Sequence, residues 1–152
     1  MSREINKIII HCSDTKDSGT VSWTAIEKYH KETMGWSDIG YHFGIEEVNW
    51  SDPNYKYVSI IGRPWYLPGA HCEGQNADSI GICFVGSYET EEPQNDRLIF
   101  GIKRVIIPVM KLFNLGIDNI FFHRDFSSHG KTCPGTQFSK AKFIGLLALE
   151  KL

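Results

Sequence analysis

The spacing of apolar and polar positions changes several times along the chain, and each change marks an element. Residues 7–12 (Lys7-Ile8-Ile9-Ile10-His11-Cys12) form a β-branched run that turns polar at its end, the pattern of a buried strand. Residues 15–20 are turn formers. Trp23, Ile26, Tyr29 and His30 then share one helical face, with Ser22 placed as N-cap and Gly35 as the stop. Residues 41–48 and 55–61 read as a second and third strand joined by the turn Ser51-Asp52-Pro53-Asn54. Residues 69–72 are short enough for an edge strand. Residues 79–85 are continuously apolar and belong in the middle of a sheet.

Residues 89–95 are acidic, contain Pro93, and read as a surface loop. Leu98, Ile99, Ile102, Val105, Ile106, Val109, Met110 and Phe113 repeat at helical spacing until residues 114–116 stop them. Pro108 lies inside that helix, removes a backbone donor, and is expected to kink it. Residues 119–122 form another buried strand that leads into His123. Residues 139–152 form a terminal helix with Phe143, Leu146, Leu147 and Leu149 as its apolar positions. Strands interleaved with helices predict an α/β (α+β) fold. It is one domain over residues 1–152, with a mixed sheet of about five to six strands flanked by about three helices.

Composition narrows the function classes. At 152 residues, 41% apolar and 22% charged, the chain can bury one core. Its net charge of −2 is intermixed, with no basic stripe to follow a phosphate backbone, which argues against nucleic acid as partner. The polar start and the short run Ile8-Ile9-Ile10 fall far short of a signal peptide or membrane span, so cytoplasmic synthesis without membrane insertion is expected. In a reducing compartment Cys12, Cys72, Cys83 and Cys133 read as buried thiols or metal ligands, not disulfides.

A catalytic metal site needs about three protein ligands and an open position, best fixed by strand ends. His11 closes the first strand and His123 the last, while Cys133 sits in the turn-rich Lys131-Thr132-Cys133-Pro134-Gly135. Spacing alone makes no zinc signature of them. Taken singly, each histidine reads more readily as a hydrogen-bonded structural residue.

Five blocks in order alter that balance. They are Ile8-Ile9-Ile10-His11-Cys12-Ser13; Gly35-Trp36-Ser37-Asp38-Ile39-Gly40-Tyr41-His42-Phe43; Gly62-Arg63-Pro64 with Gly69-Ala70-His71; Asn76-Ala77-Asp78-Ser79-Ile80-Gly81-Ile82-Cys83-Phe84-Val85-Gly86; and His123-Arg124-Asp125 with Lys131-Thr132-Cys133-Pro134-Gly135. Together they resemble the phage-type N-acetylmuramoyl-L-alanine amidases, relatives of the peptidoglycan recognition proteins. The resemblance implies one zinc ion held by His11, His123 and Cys133, with Tyr41 and Lys131 catalytic and His71 near the substrate groove. It further implies hydrolysis of the amide between the lactyl group and L-alanine in peptidoglycan or muropeptides. Residues 1–152 are expected to act as a monomer and, as a departure from the family, without an appended wall-binding domain. An endolysin that reaches the wall after release is the leading role. Muropeptide recycling, a non-catalytic peptidoglycan-binding module and a Cys133–His123 cysteine hydrolase are the alternatives.

The remaining residues carry plainer expectations. His42 points away from Tyr41's face and is buried or supports the site, whereas His30 and His129 are surface residues. Cys12 faces away from His11, and Cys83 is a core thiol. Trp50, Trp65 and Tyr66 flank the expected groove, where they stack on sugar rings or form satellite core, and Trp23 and Trp36 are core. Arg63 and Arg124 pin loops or meet substrate carboxylates, and Asp125 orients a ligand histidine. The connection between the second and third strands, with Pro53, is longer than the family's tight turn.

Overall fold

The computed structural model describes residues 3–15, 22–48, 51–52 and 54–151. Pro53, Trp50 and most of the loop at residues 15–20 lie outside them. Among the described residues, five strands make one mixed sheet: β1 (Lys7–Cys12), β2 (Phe43–Glu47), β3 (Tyr57–Ile61), β4 (Ser79–Phe84) and β5 (Ile120–Phe122). Their order is β3-β2-β4-β1-β5, with β3 alone antiparallel to its neighbour. β4 is buried at every position because helices and loops cover both faces, as its unbroken apolar run requires.

Residues 69–72 are not a strand. The Asn76 side-chain oxygen accepts the N–H groups of His71 and Cys72, and Ala70 donates to Gly40, so this backbone is committed to a turn.

Helix α1 (Trp23–Lys28) continues as a π-helical turn, Tyr29–Thr33, and Gly35 then adopts φ +71 where the helix breaks. The long helical pattern resolves into α2 (Asn95–Gly101), a π-helical stretch Ile102–Ile106, and α3 (Ile107–Phe113). The π stretch ends two residues before Pro108, which continues the helix without a backbone donor. Asn114 closes α3 in the left-handed conformation. α4 (Lys140–Lys151) buries Phe143 and Leu147, while Leu149 is 70% exposed and not the core position its spacing suggests. No helix among the described residues is long and apolar enough to cross a membrane.

Strand alternation sends Ile8, Ile10 and Cys12 to one face, where α2, α3 and α4 pack over Phe84, Phe122, Phe138 and Phe143. These rings meet edge to face or tilted at 5.2–6.2 Å, the favoured aromatic geometries. A buried ion pair, Arg97 to Glu47 at 2.6 Å, fixes α2 to the carboxyl end of β2. Breaking such a pair costs about 3–5 kcal/mol because it strands a charge. The opposite face holds a smaller cluster of Trp23, Ile26, Ile39, Cys83 and Val85, and His11 projects on this side.

Candidate metal centre

His11, one residue before the end of β1, is nearly inaccessible, at 1% exposure. His123 follows β5 and opens a 3₁₀ turn, His123–Phe126. The loop carrying Cys133 folds back over these strand ends. One ligand atom from each of His11, His123 and Cys133 lies within 4.8 Å of the others. The Cys133 sulfur is 3.8 Å from His11 Nδ1, and the His11 and His123 rings are 4.7 Å apart.

Electrostatics prepares the two imidazoles as neutral donors. Burial first, then the nearby histidines, holds His11 well below the usual histidine range. Burial and the Lys131 charge lower His123. A hydrogen bond with Cys12 and then burial hold the Cys133 thiol far above its ordinary value, so it keeps its proton in the metal-free chain. Cys12 does sit on the face away from His11, yet its side chain reaches Cys133, because both lie where β1 ends. All four cysteines are free thiols.

Tyr41 precedes β2, its ring 5.3 Å from that of His11 and its hydroxyl donating weakly to the Cys12 carbonyl at 3.5 Å. Burial, then neighbouring thiols and Asp14, raise its phenol well above 10, so it stays protonated. Lys131 is exposed and lines a pocket of about 230 Å³ with Cys12, Asp14, Glu89, His123 and Cys133. A second pocket of about 450 Å³ is lined by Ser13, Asp14, Ile26, Tyr29, His30 and Tyr41. Asp14 lines both, so the two pockets adjoin at that residue, and together they make the trough beside His123 and Tyr41.

His71 lies elsewhere than the sequence suggests. It is buried behind His11, its Nδ1 2.9 Å from His11 Nε2 and its Nε2 3.3 Å from Ser79 Oγ. Both ring nitrogens are engaged inside the protein, which leaves neither for a substrate in the trough.

Other expectations also shift. His30 is buried, not exposed: its Nδ1 accepts the Gly40 N–H at 3.1 Å and its ring stacks near Trp36 and Tyr41. Asp125 orients no histidine; it accepts the Phe122 N–H at 2.8 Å and pairs with Lys140. Trp65 does not reach the trough. β3 runs against β2, so the chain leaves β3 beside the start of β2, and the Trp65 ring packs on Phe113 at the end of α3. Arg63 pins a loop through the carbonyls of Asp38, Ile39 and Pro68, and His42 is buried as expected. His129 is exposed.

Two further residues serve the site without standing out in the sequence pattern. Ser79 opens the apolar run of β4. Arg3, in a polar N-terminal stretch, donates to the carbonyls of Trp65, Leu67, Asn76, Ala77 and Ser79, strapping the loop that carries His71. A carbonyl cage has no side-chain signature, so only Ser79 carried a sequence clue, as a hydroxyl in an otherwise apolar strand.

A mixed α/β sheet with two neutral imidazoles and a thiol gathered at its strand ends defines a candidate metal-binding domain with a groove at its mouth. The chain belongs to the N-acetylmuramoyl-L-alanine amidase family Amidase_2, whose model matches residues 1–136. The endolysin of Escherichia phage T7 is 39% identical over 82 residues, 54% of this chain and 48% of that protein. Peptidoglycan-recognition protein SC2 of Drosophila melanogaster is 40% identical over 80 residues, 53% of this chain and 39% of that one. Among solved structures, the N-acetylmuramoyl-L-alanine amidase LysC from Clostridium intestinale URNW has a TM-score of 0.78 at 25% identity, covering 96% of this chain and 87% of that one. The chain spans about half the length of the phage endolysins it matches.

Proposed function

We propose that this chain is a zinc-dependent amidase that cleaves the bond between the N-acetylmuramoyl lactyl group and L-alanine of peptidoglycan, working as a phage or prophage endolysin. Residues 1–152 act as one catalytic domain and as a monomer, made in the cytoplasm and reaching the wall after release. The observation that carries this reading is the meeting of His11, His123 and Cys133 within 4.8 Å in a member of this family. Two imidazoles and a thiol match zinc's preferred donors, and three ligands leave room for a fourth.

When bound, zinc supplies Lewis acidity toward the scissile carbonyl and acidifies water toward a pKa of about 7. The chain does the rest. The Tyr41 hydroxyl, protonated and only weakly held by Cys12, can turn toward the trough and orient the attacking water by hydrogen bonding. Lys131, at the rim beside His123 and Cys133, brings positive charge to the oxygen on which negative charge develops. Asp14 and the two pockets give an extended substrate a seat on either side of the reacting bond.

Mass spectrometry of peptidoglycan digested with and without chelator tests the reading. New N-terminal L-alanine is expected, lost on chelation and restored by zinc. Activity that survives exhaustive chelation but not thiol alkylation would point instead to a Cys133 hydrolase. Digestion of soluble muropeptides without attack on intact sacculi would remove the endolysin role.

A further inference from the structure

Behind the candidate metal site runs a line of four groups whose hydrogens can be assigned from one end. The Ser79 hydroxyl lies 2.6 Å from the Gln75 carbonyl oxygen, which can only accept, so the single hydroxyl hydrogen points there. Ser79 Oγ then has lone pairs to offer His71 Nε2 at 3.3 Å, so His71 carries its proton on Nε2. A neutral imidazole protonated on Nε2 accepts at Nδ1. His71 Nδ1 is 2.9 Å from His11 Nε2, and the hydrogen between them therefore belongs to His11.

We infer that Ser79 and His71 are positioning residues that hold His11 in its Nε2–H tautomer, leaving the Nδ1 lone pair free on the side of His123 and Cys133. The inference rests on the metal reading proposed above for the purpose of this arrangement, but the proton order follows from the hydrogen bonds alone. Reversing the order would leave Ser79 Oγ and the Gln75 oxygen 2.6 Å apart with no hydrogen between them. Moving only the His11 proton to Nδ1 would set two lone pairs 2.9 Å apart in a dry interior. It would also block the nitrogen that lies 3.8 Å from the Cys133 sulfur.

The His71 ring has little freedom to abandon this task. A Cβ on Gly69 would lie 2.3 Å from His71 Cδ2, and one on Gly81 would lie 2.5 Å from the ring. The imidazole is therefore sandwiched between two glycine backbones. The Asn76 side chain holds the His71 backbone from a third direction.

The test uses the ¹⁵N-labelled full chain stripped of metal by chelator, with imidazole tautomers read from long-range ¹H–¹⁵N spectra above the histidine titration range. His11 is expected as the Nε2–H form. His71→Asn keeps an acceptor where Nδ1 stood and should preserve that form. His71→Phe and Ser79→Ala should let His11 populate the Nδ1–H form and lower zinc affinity by roughly 10–100-fold, the usual effect of losing a hydrogen-bond partner behind a ligand. A wild-type chain with His11 protonated on Nδ1 overturns the inference, as does undiminished zinc affinity in both His71→Phe and Ser79→Ala. Because the tautomer is read without metal, the spectrum decides the matter even if a chain that binds no zinc has sunk the amidase reading.

Discussion

The main-chain N–H of Arg124 donates to the carbonyl oxygen of Cys133 at 2.9 Å, so the residue after one candidate ligand holds the backbone of another. The Arg124 guanidinium reinforces this from the side, donating to Gly135 at 2.7 Å and Phe138 at 2.8 Å. His123 and Cys133 are thereby brought together before any cation arrives. A site assembled in advance spares the ion the entropy of ordering a loop.

Replacing Arg124 by alanine should loosen the Cys133 loop. Zinc affinity is expected to fall by about tenfold or more, with a lower melting temperature. Arg124→Lys should not restore it, because one ammonium cannot span two carbonyls as the planar fork does. Competition with a chromophoric chelator measures the affinity, and an unchanged value in the alanine variant would show that the loop holds itself.

Lys131→Ala should leave zinc bound and stability intact, since the side chain is exposed. Turnover on peptidoglycan should drop roughly 10²–10³-fold, the effect of removing one oxyanion donor. Metal analysis and turnover on the same preparation separate the two. A loss smaller than about tenfold would take Lys131 out of the mechanism.

Gly81→Ala forces a methyl group into the His71 ring on the central strand. Overpacking of this kind costs about 1–3 kcal/mol, and here it should also weaken zinc binding by tilting His71 off His11. Gly145→Ala, in α4 with nothing near the added carbon, is the control and should be neutral or stabilising by up to about 1 kcal/mol. Urea denaturation of the pair reads the difference, and equal midpoints would contradict the packing.

Burial holds His42 down to a pKa of about 4, outweighing its hydrogen bond to Leu67, with the Arg3 and Arg63 charges adding to the depression. Between that value and the unfolded pKa of about 6.5, the unfolded chain binds a proton that the folded chain refuses. Stability of the metal-free protein should therefore be full above about pH 6.5 and fall as pH drops toward 4, with His42 alone accounting for about 3 kcal/mol. His11 and His71, also depressed by burial, act with the same sign. Urea midpoints at neutral and mildly acidic pH check this, and greater stability in acid would reverse the assignment.

The helices show where local pattern sufficed. The apolar stripe from Leu98 to Met110 needs a partner surface on one side, and any compact solution must bury it, so its existence was legible without a fold. The central position of β4 followed in the same way, since a run without a polar side chain from Ile80 to Phe84 fits a strand covered on both faces. The π-helical turns were not legible, because periods of 3.6 and the wider π turn barely separate over five residues. His30 reads as a surface residue from its helical position but is buried, because the Gly40 N–H and the rings of Trp36 and Tyr41 that cover it come from the segment after the helix.

By itself, the sequence determined most element types, the mixed sheet and, through five ordered blocks, the family and the residues to watch, but not the turn at residues 69–72 or the π-helical stretches. Those properties live in short windows or in resemblance, and neither needs a distance. Only the tertiary structure decided that His71 stands behind His11, that Ser79 supports it, and that Arg3 and Arg124 fasten the surrounding loops. Hydrogen bonds between residues far apart in the chain depend on ångström-scale placement of backbones, and no one-dimensional pattern encodes which carbonyl a distant side chain will meet.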